Sequence, residues 1–227
     1  MIDPVPSLRH TIADDLRSQI TTGHLKAGVR LPSEPRLAAQ YKVSTPTLRT
    51  ALSLLQAEGL IEKIHGKGNF VRQPLRRLTY VGGHLTPDED LHVTIRTTNL
   101  RARGNLISLL KVPSRTPLTE FLCLSHQGES PHSLARIYVP RDLASAELPW
   151  QRSTAEQSRN QVSARLPTPE EAFALRISST LAVLSITRVS TDTTGRVVEA
   201  ALLILPSDRA DALFITHHAT DEKGQEG

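Results

Sequence analysis

The sequence lacks the features that mark secreted or membrane-spanning proteins. It has one cysteine, Cys123, among 227 residues, so no disulfide can form within the chain, and the protein suits a reducing cytosol. No apolar run approaches the roughly 20 residues of a membrane-spanning helix, and the first residues show no signal-peptide pattern. We therefore expect a cytoplasmic protein with no membrane association, in which Cys123 is a buried structural thiol rather than a redox sensor.

The sequence signatures of common enzyme classes are missing as well. We find no Ser-His-Asp, His-Glu-x-x-His or Walker pattern that would supply a nucleophile, a metal or a phosphate cradle. The pair His217-His218 could suggest a metal, but no cysteine or carboxylate lies at zinc-ligand spacing from it, which favours solvated histidines. The sequence therefore predicts no catalytic residues, no metal and no cofactor.

Positive charge is concentrated in the first third of the chain. Residues 1–77 hold 12 Lys and Arg against 6 Asp and Glu, whereas residues 78–227 hold 15 against 17. The net charge of +4 thus describes a basic N-terminal part joined to a slightly acidic remainder. A nucleic-acid-binding module attached to a second domain has this distribution.

In the basic part, apolar residues recur with helical spacing in two stretches, which the short segment 42–44 separates. They predict a helix that begins after Ser33, a tight turn, and a second helix over about 45–58 with Ser44 as its cap and Gly59 as its end. Pro46 falls in the first turn of the second helix, where its missing N–H costs nothing. Two helices joined by so tight a turn must cross steeply, as in a helix-turn-helix. The inward positions are Leu37, Ala38 and Tyr41 of the first helix and Leu48, Ala51, Leu52 and Leu55 of the second.

The outward face of the second helix is small, polar and carries one arginine. Short side chains let the N-terminal end of a helix approach base edges in a major groove, and its free N–H groups attract phosphate. An ordinary solvated helix face would have similar residues. The predicted DNA-contacting positions here are Ser44, Thr45, Pro46, Thr47, Arg49, Thr50 and Ser53.

A β-hairpin with a basic tip follows the helix pair. Runs 60–64 and 69–71 are rich in strand-forming residues, and His65-Gly66-Lys67-Gly68 between them supplies two glycines for positive φ. Because this Gly-x-Gly lies between two strands and not before a helix, the nucleotide-binding interpretation fails. The hairpin is predicted to be a DNA-contacting wing through His65, Gly66 and Lys67.

These segments resemble the winged helix-turn-helix domain of GntR-family transcription regulators. The resemblance covers about the first third of the chain and implies DNA binding. It departs at Pro35 and Thr45, where the family often has arginine, so no operator sequence is implied; Arg36, next to Pro35, is the expected substitute. The segments that carry it are 12–17, 28–34, 37–38, 43–44, 47–49, 51–52, 58–61 and 65–71.

The remaining residues predict an antiparallel sheet with intervening helices. Two hairpins are expected, one from strands 118–125 and 133–139 and one from strands 181–192 and 197–205. Short helices are expected at 105–110 and after the cap Thr168, whereas the polar segment 147–166 is predicted to be loop and helix. The fold class is therefore α+β.

This second part resembles the UTRA effector-binding domain of the HutC branch of the GntR family, in segments 128–131, 135–140 and 191–199. The resemblance implies a chorismate-lyase-like fold, a homodimer and a small-molecule cleft against the sheet. By strand period and by the resemblance, the predicted effector-binding residues are Arg136, Tyr138, Glu199 and Arg188. Alternatively, Arg136 and Glu199 pair with each other across the sheet. Strand 121–125 lacks the arginines of sugar-phosphate-binding members, so we expect an effector with little negative charge and substantial apolar surface.

The whole sequence thus predicts a DNA-binding transcription regulator, a repressor that binds an inverted-repeat operator as a homodimer and responds to a small molecule. The alternatives are a repressor whose second domain only dimerises and a lyase-like enzyme fused to a DNA-binding module. The expected division is a winged helix-turn-helix domain at 1–73, a linker at 74–80, an effector-binding and dimerisation domain at 81–217 and a disordered tail at 218–227.

Overall fold

The computed structural model describes residues 7–73, 75–81, 84–85, 90–144 and 157–215. His217, His218 and Trp150 lie outside these residues. The described helices are α1 (Leu8–Thr21), α2 (Glu34–Tyr41), α3 (Thr45–Ala57), α4 (Asn105–Leu110) and α5 (Pro169–Leu175), with a 3₁₀ helix at Arg141–Leu143. The described strands are β1 (Ile61–Ile64), β2 (Gly68–Val71), β3 (Leu78–Val81), β4 (His84–Leu85), β5 (Leu91–Arg101), β6 (Pro117–Gln127), β7 (Ser130–Pro140), β8 (Gln157–Arg165), β9 (Val183–Thr191), β10 (Val197–Pro206) and β11 (Ala210–Leu213).

The N-terminal domain packs three helices around one apolar core and adds the β1–β2 hairpin as a wing. Lys42 adopts the left-handed conformation (φ 53°) and ends α2, so the chain turns sharply into α3. The side chain of Ser44 accepts a hydrogen bond from the N–H of Thr47 and caps α3, whereas Ser33 makes no such bond at α2. The buried core residues are Ile12, Ala13, Leu16, Leu31, Leu37, Ala38, Leu48, Ala51, Leu52, Leu55, Ile61 and Val71. The predicted winged helix-turn-helix is confirmed, including the predicted inward positions Leu37, Ala38, Leu48, Ala51, Leu52 and Leu55.

The C-terminal domain is built on a six-stranded antiparallel sheet in the order β5-β6-β7-β10-β9-β8. The two predicted hairpins, β6–β7 and β9–β10, are both present, and strands β7 and β10 pair with each other at the centre of the sheet. The predicted helices are present as α4 and α5, and α5 has a complete capping box between Thr168 and Glu171. The α+β fold class is confirmed.

One sequence-based expectation for this sheet is wrong. Segment 147–166 was expected to be loop and helix, but residues 157–165 form β8. β8 is an edge strand with most of its side chains exposed, so it carries no alternation of apolar and polar residues that would reveal a strand. Pairing with β9 along its whole length, from Gln157–Thr191 to Arg165–Val183, holds it in the sheet.

The two faces of the six-stranded sheet pack against different elements. On the helix-covered face, α4 packs near Tyr138 and Ala200, and α5 packs near Leu134 and Ile204. The opposite, small-sheet face packs against the three-stranded sheet β11-β3-β4, in which Tyr80 is the largest buried side chain.

The segment between the domains is anchored to the sheet domain. The backbone N–H of Arg76 donates to Gln127 (2.9 Å), and the ring Nε2 of buried His132 lies 3.0 Å from the Arg76 carbonyl oxygen. β3 then pairs in parallel with β11, so residues 78–80 of the expected linker belong to the small sheet. None of the helices in the described ranges combines the length and the apolar character of a membrane span.

Candidate nucleic-acid interface and effector site

The exposed side of α3 forms a small polar surface at the corner of the N-terminal domain. Burial of Leu48, Ala51, Leu52 and Leu55 fixes the rotation of the helix, and this rotation directs the predicted DNA-contacting positions outward. Among these, Thr45 and Thr47 are half-buried, whereas the remaining predicted positions on α3 and its cap are exposed: Ser44, Pro46, Arg49, Thr50 and Ser53.

Glu34, at the start of α2, lies between Arg49 of α3 and Lys63 of the wing. Its carboxylate accepts from Arg49 Nε at 2.6 Å and lies 3.9 Å from Lys63 Nζ. The Arg49 side chain nevertheless remains 65% exposed. An ion pair whose arginine is this exposed contributes little stability, so Arg49 can leave Glu34 at small cost. Arg36, also on α2, is exposed.

The wing places an exposed basic tip beside α3. His65, Gly66 and Lys67 are exposed, and Gly66 (φ 72°) and Gly68 (φ 109°) take the positive φ values that the turn requires. Gln56 on α3 donates to Asn69 on β2 (3.0 Å) and fixes the wing against the helix.

Sequence reasoning missed two cations near the wing, Arg30 and Lys63. Arg30 forms an isolated bridge with Phe70, and its guanidinium passes so close to Gly68 that a Cβ there would lie 3.3 Å from Arg30 Nε. No local pattern reveals this contact, because the two residues lie 38 positions apart in the sequence. Lys63 was visible as an exposed charge in β1, but only the fold shows that it shares Glu34 with Arg49.

The four predicted effector residues do not share one cleft. Tyr138 lies opposite Ala200 and Arg136 opposite Leu202, which places both on the helix-covered face. Glu199, one residue before Ala200, points to the small-sheet face together with Arg188. The prediction of a cleft lined by Arg136, Tyr138 and Glu199 is therefore wrong, as is the alternative Arg136–Glu199 pair, because strand period could not assign residues of two strands to a common face.

On the helix-covered face, Arg136 is held between two carboxylates. Its guanidinium lies 3.4 Å from Glu120 on β6 and 3.4 Å from Glu170 on α5. Burial, reinforced by the negative charge of Glu120, raises the pKa of Tyr138, so the phenol stays protonated near neutral pH and can donate a hydrogen bond.

On the small-sheet face, Arg188 and Glu199 form a buried ion pair. Arg188 Nη2 donates to Glu199 Oε1 at 2.6 Å, and the two side chains are only 10% and 11% exposed. The neighbouring Tyr80 hydroxyl donates to Asn160 Oδ1 at 2.7 Å, and the pKa of Tyr80 is raised, chiefly by burial. Tyr80 and Asn160 were missed, because residues 78–80 were assigned to the linker and β8 was not recognised.

Two family models match the chain. The model described as "Bacterial regulatory proteins, gntR family" matches residues 8–71, and the UTRA domain model matches residues 93–211. Together they cover the N-terminal domain and most of the sheet domain.

Characterised relatives and a solved structure resemble the chain over much of its length. The HTH-type transcriptional repressor NagR of Bacillus subtilis strain 168 is 30% identical over 148 residues, which are 63% of this chain and 56% of NagR. The mannosyl-D-glycerate transport/metabolism system repressor MngR of Escherichia coli K12 is 28% identical over 200 residues, 78% of this chain and 82% of MngR. The crystal structure of PhnF from Mycobacterium smegmatis superposes with a TM-score of 0.55 at 19% identity, covering 93% of this chain and 100% of PhnF, which shows a shared fold.

Proposed function

Because this chain belongs to the gntR family of bacterial regulatory proteins and carries a UTRA domain, it is a transcriptional regulator, and we propose that it is an operator-binding homodimeric repressor controlled by a small molecule. The domain combination is the one expected for the HutC branch. The observation that carries the proposal is the exposed polar face of α3 beside a basic wing. Repression is supported by the relatives NagR and MngR, both of which are named as repressors.

In the proposed complex, the N-terminal half of α3 enters the major groove. Short side chains allow close approach, and Arg49 can reach the O6 and N7 acceptors of a guanine once it leaves Glu34. Arg30, Lys63 and Lys67 surround the wing and would neutralise backbone phosphates. Arg49 would thus supply base discrimination, whereas the wing cations would supply affinity for any sequence.

A homodimer is proposed because one winged module is too small for specific binding. Operator affinities near 10 nM correspond to larger interfaces than a single module offers, and a twofold axis doubles the contacts. Footprinting on an operator selected from random DNA should show twofold-symmetric protection. Protection of a single half-site by a monomeric protein in sedimentation would refute the dimer.

The proposed effector site is the small-sheet face around Arg188 and Glu199. Removing two charges from water is costly, and replacing a buried ion pair with apolar residues often stabilises a protein. The presence of this pair next to the hydroxyl of Tyr80 and the amide of Asn160 fits a ligand site with a few converging polar groups over an apolar sheet. Arg136 and Tyr138, on the opposite face, are left out of the proposed site.

The charges in this site favour an effector with little net negative charge. Glu199 already compensates Arg188, so an anionic ligand would have to displace a buried carboxylate. Hydroxyl and amide groups can instead join the existing hydrogen bonds, and the remaining contacts would be apolar, with neighbours such as Ile186 and Ala201.

A thermal-shift screen of the full chain tests the effector site. The probes are glucose 6-phosphate, mannosyl-D-glycerate and a set of neutral apolar metabolites. A ligand at 100 times its Kd adds about 2.7 kcal/mol to the stability of the folded state. We expect the shift from a neutral compound, and its loss in the double variant Arg188→Met/Glu199→Leu. Tight binding of glucose 6-phosphate that survives the double change would overturn both the site and its chemistry, and no shift from any probe would favour a domain that only dimerises.

A further inference from the structure

A buried cluster of three charged side chains joins the two domains. Arg72 follows the wing strand β2, and its Nη1 donates to Asp208 Oδ2 in the β10–β11 turn at 2.7 Å. Its Nη2 donates to the carbonyl oxygen of Arg176 at 3.0 Å. The Arg72 and Asp208 side chains are only 10% and 14% exposed. A residue directly after the wing is therefore held by two separate segments of the sheet domain.

Asp208 is itself fixed by a second arginine. Arg209 Nε and Nη2 each lie 2.9 Å from an Asp208 carboxylate oxygen, and Arg209 Nη1 donates to the carbonyl oxygen of Pro131 at 2.6 Å. Arg209 is 1% exposed. One carboxylate thus serves two guanidiniums, and burial together with the charge of Arg209 lowers the pKa of Arg72. Because Arg209 anchors Asp208 to the sheet domain, the carboxylate is a fixed point against which Arg72 is placed.

The turn that ends the DNA-reading helix touches the same aspartate. Gly59 follows α3 with φ 74°, and a Cβ at this position would lie 2.8 Å from Asp208 Cβ. Beside this contact lies a cavity of about 600 Å³, lined by both domains, including Ile20, Leu25, Leu60 and Leu181. Apolar packing therefore does not fill the junction there, and Gly59, Arg72 and Asp208 are among the residues that line it.

We propose that Asp208 is the positioning residue through which the sheet domain sets the orientation of the DNA-reading helix, by holding Arg72 and lying against Gly59. Asp208 follows the end of β10 by two residues, and β10 also carries Glu199. A ligand that shifts β10 at Glu199 would therefore move Asp208, and with it the end of α3. This last step rests on the effector site proposed above, whereas the positioning itself does not.

Distances between spin labels on the two domains test the positioning without DNA or effector. Exposed positions Gln40 and Thr193 are changed to cysteine and labelled in the full chain. Cys123 is only 4% exposed, and burial raises the pKa of its thiol to about 11, so labelling at pH 7.5 favours the two introduced cysteines. Dilution with unlabelled protein removes distances between copies.

We expect one narrow distance distribution in the otherwise native protein and at least a twofold wider one after Arg72→Gln. Arg77→Gln is the matched control, because it removes the same charge from the same connecting segment but breaks a pair with Asp211 within the sheet domain. An unchanged width after Arg72→Gln, or equal broadening after Arg77→Gln, would overturn the proposal. If Arg72→Gln fails to fold by thermal unfolding, Arg72→Lys, which keeps the charge but loses the fork geometry, takes its place with smaller expected broadening.

Operator binding then tests whether the positioning matters for function. Arg72→Gln should change the affinity for the complete inverted repeat at least fivefold while leaving the affinity for one half-site unaltered. A variant with a broadened distance distribution and native affinity for both DNAs would overturn the functional role. Failure of the proposed function would look different: the native protein would bind no operator, while the distance contrast between the Arg72 and Arg77 variants would persist.

Discussion

The charged side chains of the two proposed binding surfaces lie in opposite environments. On the N-terminal domain, Arg49, Lys63 and Lys67 are exposed, and Arg49 pairs with Glu34 while remaining 65% exposed. In the sheet domain, Arg188 and Glu199 are buried against each other, and Arg209 is almost inaccessible. The first arrangement leaves cations available to a large anionic partner at little cost in stability. The second ties charge to the integrity of the fold, so that a change at one group must affect its neighbours.

The contrast between buried and exposed charge predicts the largest change in stability at Glu199. Glu199→Ala leaves the guanidinium of Arg188 buried without its carboxylate, and we expect the free energy of unfolding to fall by about 3–5 kcal/mol in urea denaturation. The control Asp211→Ala removes an exposed partner of Arg77 and should cost about 0.5 kcal/mol or less. The double variant Arg188→Met/Glu199→Leu should recover most of the loss. Equal losses at Glu199 and Asp211 would erase the contrast between buried and exposed charge.

At Arg49 the predicted effect concerns DNA and not stability. Arg49→Ala should remove about 1–3 kcal/mol of discrimination at one base pair of each half-site, measured by competition with singly altered operators, because a bidentate contact to guanine is lost. The unfolding midpoint should hardly move. Arg103→Ala removes an exposed arginine from the sheet domain and should leave discrimination intact. Native discrimination in the Arg49 variant would show that α3 does not read bases through this residue.

Glu34→Gln tests the same role of Arg49 by changing its partner. It frees Arg49 and removes a negative charge from the DNA-facing surface. Affinity for all DNA sequences should rise modestly, with base discrimination retained. Weaker binding by this variant would mean that Glu34 is needed to orient Arg49.

Lys67 should contribute only electrostatic attraction. Lys67→Ala is expected to reduce the slope of log affinity against log salt concentration by about 1 and to weaken all sequences alike. The control Arg159→Ala removes an exposed cation from the edge strand β8 of the sheet domain. It should leave the slope unchanged. A sequence-dependent loss at Lys67 would instead assign base contacts to the wing.

The smallest effects are expected at the helix caps. Thr168→Ala removes the hydroxyl that accepts from the Glu171 N–H at 3.2 Å and so breaks the reciprocal capping box at α5; it should cost about 1 kcal/mol in urea denaturation. Ser44→Ala removes a single long bond of 3.4 Å and should cost about 0.5 kcal/mol. A larger cost for Ser44→Ala than for Thr168→Ala would indicate that the 2.9 Å contact between the Ser44 and Thr47 hydroxyls contributes more than the backbone cap.

Sequence reasoning succeeded where the deciding interactions are local. The boundaries of α3, the wing turn with Gly66 and Gly68, and the capping box at Thr168 all depend on neighbours within a few residues. It failed at β8, which has no alternation of apolar and polar residues. It also failed at the effector residues, because the register between strands decides which of their side chains share a face of the sheet. Arg30 was missed for a related reason, since its contact with Gly68 joins segments far apart in the chain.

The sequence by itself therefore determined the α+β class, the winged helix-turn-helix and the direction in which α3 presents its polar side. These follow from apolar periodicity, turn residues and caps, which act over a few residues of chain. Only the tertiary structure decided that Arg188 and Glu199 share a buried face apart from Arg136 and Tyr138, and that Arg72 meets Asp208. Such pairings depend on strand order, register and domain contact, which no local pattern encodes, and the Arg72–Asp208 pair joins residues 136 positions apart.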